Sequence, residues 1–132
     1  MGEAENQALV ERFLAAWQRA DPEELATYFT DDAVYHNMPE PQPMQGREAI
    51  EAFFRTNLPP GIQASFEILN IATRGDVVLT ERVDNFALRD RTASIPVMGA
   101  FEIRDGRIAI WRDYFDLQTL TAQIAPSPSP NG

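Results

Sequence analysis

Thr80-Glu81-Arg82-Val83-Asp84 and Trp111-Arg112-Asp113-Tyr114-Phe115-Asp116 both read as β-strands. Side chains two apart on a strand share a face. Arg82 and Asp84 therefore point together, as do Trp111, Asp113 and Phe115. Two large aromatics flank Asp113 on a face that reads as buried, where a carboxylate is costly unless it is paired. Were the two strands neighbours, Arg82 would be the partner, with Asp84 on its other side. That would make a buried Asp-Arg-Asp unit suited to handling a proton. Spacing alone equally allows a structural ion pair or a half-exposed strand face.

Outward from these stretches, the period of two runs through the whole second half of the chain. It predicts strands at 63–73, 77–89, 93–104 and 107–116, with turns at Arg74-Gly75-Asp76 and Asp105-Gly106. Asp-Gly between alternating segments is a strong hairpin signal. The first half has the period of a helix. Leu9, Val10, Phe13, Leu14 and Trp17 predict an amphipathic helix within 6–19. Asp21-Pro22-Glu23-Glu24 starts a second, short helix that buries Leu25, Tyr28 and Phe29. A brief strand at 33–37 leads into a loop with Pro39, Pro41 and Pro43. Gly46 precedes a third helix at about 47–57, with Ile50, Phe53 and Phe54 facing inward, and a short helix is expected at 117–124.

Three N-terminal helices and then a run of strands predict an α+β fold. The helices pack on one face of a strongly curved, mostly antiparallel sheet, and a pocket lies between. Residues 1–124 read as a single domain. Residues 125–132, polar and proline-rich, read as a disordered tail.

Bulk properties narrow the function. The chain has 132 residues, enough for one domain with a real core. A net charge of −9 argues against a nucleic-acid partner. There are no cysteines, hence no disulfide, thiolate nucleophile or Cys-zinc site. One histidine, without a carboxylate cluster at ligand spacing, argues against a metal site. No Gly-rich loop suggests a nucleotide, so no cofactor is expected. No apolar run reaches membrane-span length. The acidic start is unlike a signal peptide, and a cytoplasmic location is the default.

Beyond Arg82, Asp84 and Asp113, two more polar residues stand out. Tyr35 and Asn37 share a face, and together a phenol and a carboxamide can hold one water. From spacing alone, a core tyrosine and a turn asparagine is the stronger reading. His36 points the other way. Phe86, Ile95, Val97, Trp111 and Phe115 could supply an apolar lining, and Met38, Met44 and Met98 an adaptable one, although each such residue is more often simple core. Two carboxylates on one arginine in such a pocket would share a proton and titrate together, one acting as acid and the other as base.

Tyr35-His36-Asn37-Met38-Pro39, the 80–84 and 111–116 stretches, Val97–Ile103 and Asp105-Gly106-Arg107-Ile108 resemble, in order and spacing, the limonene-1,2-epoxide hydrolases. The resemblance runs from the first helix to about residue 124. It implies the cone-shaped NTF2-like, or SnoaL-like, fold and one-step hydrolysis of a small apolar epoxide without a covalent intermediate. It also implies roles. Asp113 would be the base, Asp84 the acid and Arg82 the bridge between them, with Tyr35 and Asn37 holding the water. Met38, Phe86, Ile95, Val97, Trp111 and Phe115 would contact substrate. A homodimer is the family expectation. The chain departs from the family at its short N-terminus and around Leu88–Ala93. Two competing functions use the same fold: a steroid or polyketide isomerase or dehydratase, and a non-catalytic small-molecule-binding module.

Overall fold

The computed structural model describes residues 2–124; the tail read as disordered lies outside them. Helix α1 (Glu3–Ala16) buries Leu9, Val10, Phe13 and Leu14, the stripe that the helical period marks. It tightens into a 3₁₀ turn, Trp17–Arg19, and ends at Ala20 in the left-handed region, φ 49°. Helix α2 (Pro22–Ala26) starts as its signals predict. Pro22 occupies the first turn, and the Asp21 side chain accepts from the Glu23 N–H at 3.1 Å.

Phe29, expected to close α2, is instead the first residue of β1 (Phe29–Asn37), which is longer than the brief strand anticipated. Phe29 pairs with Ile108, and a register break before Val34 interrupts the alternation that would have revealed the strand's start. Inside the proline-rich loop lies an unanticipated two-residue strand, β2 (Met44–Gln45), too short to show a period; it pairs with Val34 and Tyr35. Helix α3 (Arg47–Asn57) follows. The strands β3 (Gln63–Arg74), β4 (Val77–Leu88), β5 (Arg91–Arg104) and β6 (Arg107–Tyr114) then lead to α4 (Leu117–Ile124).

The six strands form one sheet in the order β2-β1-β6-β5-β4-β3. β1 and β6 pair in parallel, and the other pairings are antiparallel. Register breaks at Ile68/Asn70 on β3 and Glu102/Ile103 on β5 add to the curvature. β6 stops two residues earlier than expected. Asp116 precedes α4 and caps it, its carboxylate accepting from the Thr119 N–H at 3.1 Å. β4 and β6, the strands of the two opening motifs, are not neighbours: β5 runs between them.

The helices cover the concave face. Phe13 of α1 is fully buried and meets Phe29 edge-on at 5.3 Å and Trp111 edge-on at 5.0 Å. Trp111 stacks flat on Tyr35, 4.1 Å between centroids and 7° between planes. Such aromatic pairs contribute about 0.5–1.5 kcal/mol each beyond burial. They fix the Trp111 ring, and with it the residue two along, Asp113.

Candidate active site

Arg82 lies at the centre, 1% exposed, with Asp84 and Asp113 each 4% exposed. A guanidinium has five N–H donors, and all five are used. Nε donates to Asp84 Oδ1 at 3.0 Å and Nη2 to Asp84 Oδ2 at 2.8 Å. Nη1 donates to Asp113 Oδ1 at 3.1 Å and Nη2 also to Asp113 Oδ2 at 2.7 Å. The remaining Nη1 hydrogen goes to Thr80 Oγ1 at 3.0 Å. The guanidinium also lies 5.2 Å from the centre of the Phe66 ring. Burial works against the arginine's charge, but Asp113 and Asp84 together outweigh it and hold the pKa above its ordinary value.

The two carboxylates are not equivalent. Among the described residues Asp84 receives hydrogen bonds from Arg82 alone, and burial pushes its pKa above the ordinary carboxyl value despite the lowering effect of the arginine. Asp113 receives a third, from Trp111 Nε1 at 2.6 Å. Across the parallel β1/β6 pairing, Asn37 sits opposite Asp113 and Tyr35 opposite Trp111. Burial first, and then the Asp113 charge, push the Tyr35 phenol well above its ordinary range, so it stays protonated.

Asp84, Asp113, Tyr35 and Asn37 all face one cavity of about 280 Å³. Its wall is otherwise largely apolar. Phe86, Ile95, Val97 and Phe115, named from sequence, are on it, and so are Trp17, Phe53, Phe54 and Phe66. Leu120 and Ile124 of α4 close one side. Arg82 is not on the wall; it backs the acids, so a bound molecule meets the carboxylates and not the cation.

Four expected lining residues are elsewhere, among them Met44, which pairs with Tyr35 from β2 and packs against the core. Trp111 is fully buried behind Tyr35 and serves as the donor to Asp113. Met38 lies in the turn after β1, where its N–H donates to the Asp113 carbonyl at 2.8 Å. The strand alternation that would carry it to the wall stops at Asn37. Met98 is on the outer face of the sheet and half exposed. His36 faces away, its Nε2 2.9 Å from the Glu40 carbonyl oxygen.

Sequence reading missed Thr80, Gly99 and the cavity residues of the 3₁₀ turn, α3, β3 and α4. Thr80 was within reach, since it lies two residues before Arg82 on the same face. Gly99 carried a weaker signal, a glycine inside a long strand. Among the described residues no three or more His, Cys, Asp or Glu side chains gather as metal ligands would, and no helix is long and apolar enough to cross a membrane.

The model of the limonene-1,2-epoxide hydrolase catalytic domain matches residues 4–125. The chain belongs to the limonene-1,2-epoxide hydrolase family. It is 35% identical over 126 residues to epoxide hydrolase EphG of Mycobacterium tuberculosis, covering 89% of this chain and 83% of that protein. The solved structure of an M. tuberculosis epoxide hydrolase described as similar to this family superposes with a TM-score of 0.81. It is 31% identical, over 92% of this chain and 90% of that one. A Xanthomonas campestris protein provisionally described as a polyketide cyclase superposes with a TM-score of 0.80. It is 20% identical, over 93% and 98% of the two chains, and shows the shared fold alone. This limonene-1,2-epoxide hydrolase family member is therefore an epoxide hydrolase, and the isomerase and binding-module readings give way.

Proposed function

We propose that this epoxide hydrolase adds water to small apolar epoxides in one step, giving vicinal diols, with Asp113 as base and Asp84 as acid. The observation that carries the reading is the unequal pair of carboxylates on one guanidinium, both facing an apolar cavity that also holds Tyr35 and Asn37. Burial favours a proton on Asp84, which gives it to the epoxide oxygen as the ring C–O bond breaks. Asp113, opposite Asn37, takes a proton from the water that Tyr35 and Asn37 hold, and the hydroxide oxygen bonds to the ring carbon.

Charge supports the same assignment. Before reaction the unit holds one guanidinium, one carboxylate and one carboxylic acid, and its net charge is zero. After ring opening Asp84 is the carboxylate and Asp113 the acid, and the net charge is still zero. Arg82 is bonded to both acids and stabilises either arrangement, so one proton transfer resets the site. The apolar wall suits a small hydrocarbon epoxide that brings few polar groups of its own.

The working form in this reading is a homodimer. Its support is an apolar patch on the outer face of the sheet, where Leu79, Met98 and Tyr114 are about half exposed.

Single turnover in heavy-oxygen water tests the mechanism. The expected result is labelled diol and unlabelled protein. Unlabelled diol in the first turnover, with label retained in Asp113 or Asp84, would mean a covalent ester and would overturn direct attack by water.

A further inference from the structure

The proton-handling unit is built across a strand that contributes neither acid. Asp84 is on β4 and Asp113 on β6, with β5 between. At the crossing, β5 carries Gly99, paired with Thr80 on one side and Asp113 on the other. Its neighbours on the same face, Val97 and Phe101, are large and buried. A methyl group on Gly99 would lie 2.4 Å from Arg82 Nη1, 2.6 Å from Asp113 Oδ1 and 3.0 Å from Thr80 Oγ1. The first two separations are shorter than any real contact. The volume a side chain would fill is thus the volume through which the guanidinium reaches Asp113.

No turn or left-handed backbone demands glycine here; the glycines with positive φ are Gly46, Gly61, Gly75 and Gly106. The three nearest atoms are side-chain atoms of the reactive unit and of Thr80. A methyl group would therefore displace the chemistry while sparing the sheet. Thr80 accepts the one guanidinium hydrogen that neither acid takes. That bond fixes the rotation of the planar fork, so that Nη2 is shared between Asp84 and Asp113. Neither Gly99 nor Thr80 lies on the cavity wall.

We infer that Gly99 and Thr80 are positioning residues for the hydrolysis: Gly99 opens the passage over β5 that lets Arg82 bridge both acids, and Thr80 sets the rotation of the bridge. This rests on the acid and base roles proposed above.

The test measures kcat, KM, the pH profile of kcat/KM and Tm for Gly99→Ala, Thr80→Val and Thr80→Ser, beside Asp84→Asn and Asp113→Asn. Gly99→Ala is expected to fold and to lose about 10²-fold or more in kcat, the scale of a small misplacement of reacting groups. KM should stay near the parent's, because no wall residue changes. Its pH profile of kcat/KM should differ from the parent's, because the guanidinium no longer reaches both acids in the same geometry. Thr80→Val should lose about tenfold or more, as one hydrogen bond to a charged group is left unmade. Thr80→Ser, which keeps the hydroxyl, should recover most of that loss.

If the two Asp→Asn variants are inactive while Gly99→Ala and Thr80→Val keep the parent's kcat and pH profile, the positioning roles are wrong and the acid–base reading stands. If the Asp→Asn variants stay active, both fall. A loss in Thr80→Val that tracks lowered Tm with an unmoved pH profile, and that serine does not recover, also overturns the inference. Should Gly99→Ala fail to fold, the two Thr80 variants decide alone.

Discussion

At Asp84 and Asp113 the proposed chemistry stands or falls. Removing a general acid or base costs about 10²–10⁴ in rate, or about 3–5 kcal/mol. Asp84→Asn and Asp113→Asn are each expected to lose at least that in kcat. The double variant should lose little more, because one concerted step needs both groups. Steady-state rates of the three variants check this, and near-normal turnover in both single variants would make the pair merely structural. Arg82→Ala is expected to act on folding first. It leaves two buried carboxyl groups without their cation, a change that costs about 3–5 kcal/mol in a buried pair. Arg82→Lys should melt closer to the parent and still be slow, since an ammonium cannot make a planar fork to two carboxylates. Thermal melts and rates, measured together, separate the two effects. The spacing of Arg82 and Asp84 was legible in the sequence because a strand's alternation is local. The third bond to Asp113, from the Trp111 N–H, was not: the sequence shows Trp111 beside Asp113 on one face, but ring orientation depends on Tyr35 and Phe13 packing on it.

Among the elements, β5 does two jobs on two faces. Its inner face carries Ile95 and Val97 to the cavity and Gly99 to the arginine. Its outer face carries Met98, paired with Tyr114 of β6, and Ala100, paired with Leu79 of β4. Leu79, Met98 and Tyr114 are 47%, 52% and 49% exposed on three adjacent strands. Isolated exposed apolar residues are ordinary, but adjacent ones on one sheet face favour a partner surface. Isologous pairing of two copies through this face is the expected outcome. Sedimentation should give about twice the 14.8 kDa chain mass, and Met98→Glu should shift it toward the single chain. A parent protein that sediments as one chain at micromolar concentration would remove the proposed dimer. Helix α4 is tied to β5 by side chains: the Arg91 guanidinium donates to the Ile124 carbonyl at 2.9 Å. The Gln123 amide pairs with Ser94 of β5 as a strand backbone would, accepting from its N–H at 2.5 Å and donating to its C=O at 3.0 Å. The sequence predicts the helix at 117–124, but not that Leu120 and Ile124 form cavity wall.

For the whole molecule, Asp84 links function to stability. Its carboxyl pKa is raised by folding, so the native chain holds a proton that the unfolded chain releases. The stabilisation from this group is fully present below the unfolded value, about 3.9, and is lost as pH rises through the folded value. Asp84→Asn, neutral at every pH, escapes that loss. The difference in Tm, variant minus parent, is therefore expected to grow more positive as pH rises from strongly acidic toward neutral. Melting curves across that range check it; a difference that shrinks with rising pH would reverse the sign assigned to Asp84. With the expected sign, the site gains activity by keeping a group that costs stability at neutral pH. At this scale, the sequence by itself determined the α+β class, the three N-terminal helices, the four long strands and the faces on which the acids lie. Those follow from periods of 3.6 and 2 and from turn residues, all of them local. Tertiary structure decided which strands touch. It put β5 between β4 and β6, returned β1 in parallel to β6, and so brought Tyr35 and Asn37 to Asp113. It also sent Met38 into a turn. Strand order depends on contacts between residues far apart in the chain, and a local period records only which way a side chain faces, not what it meets.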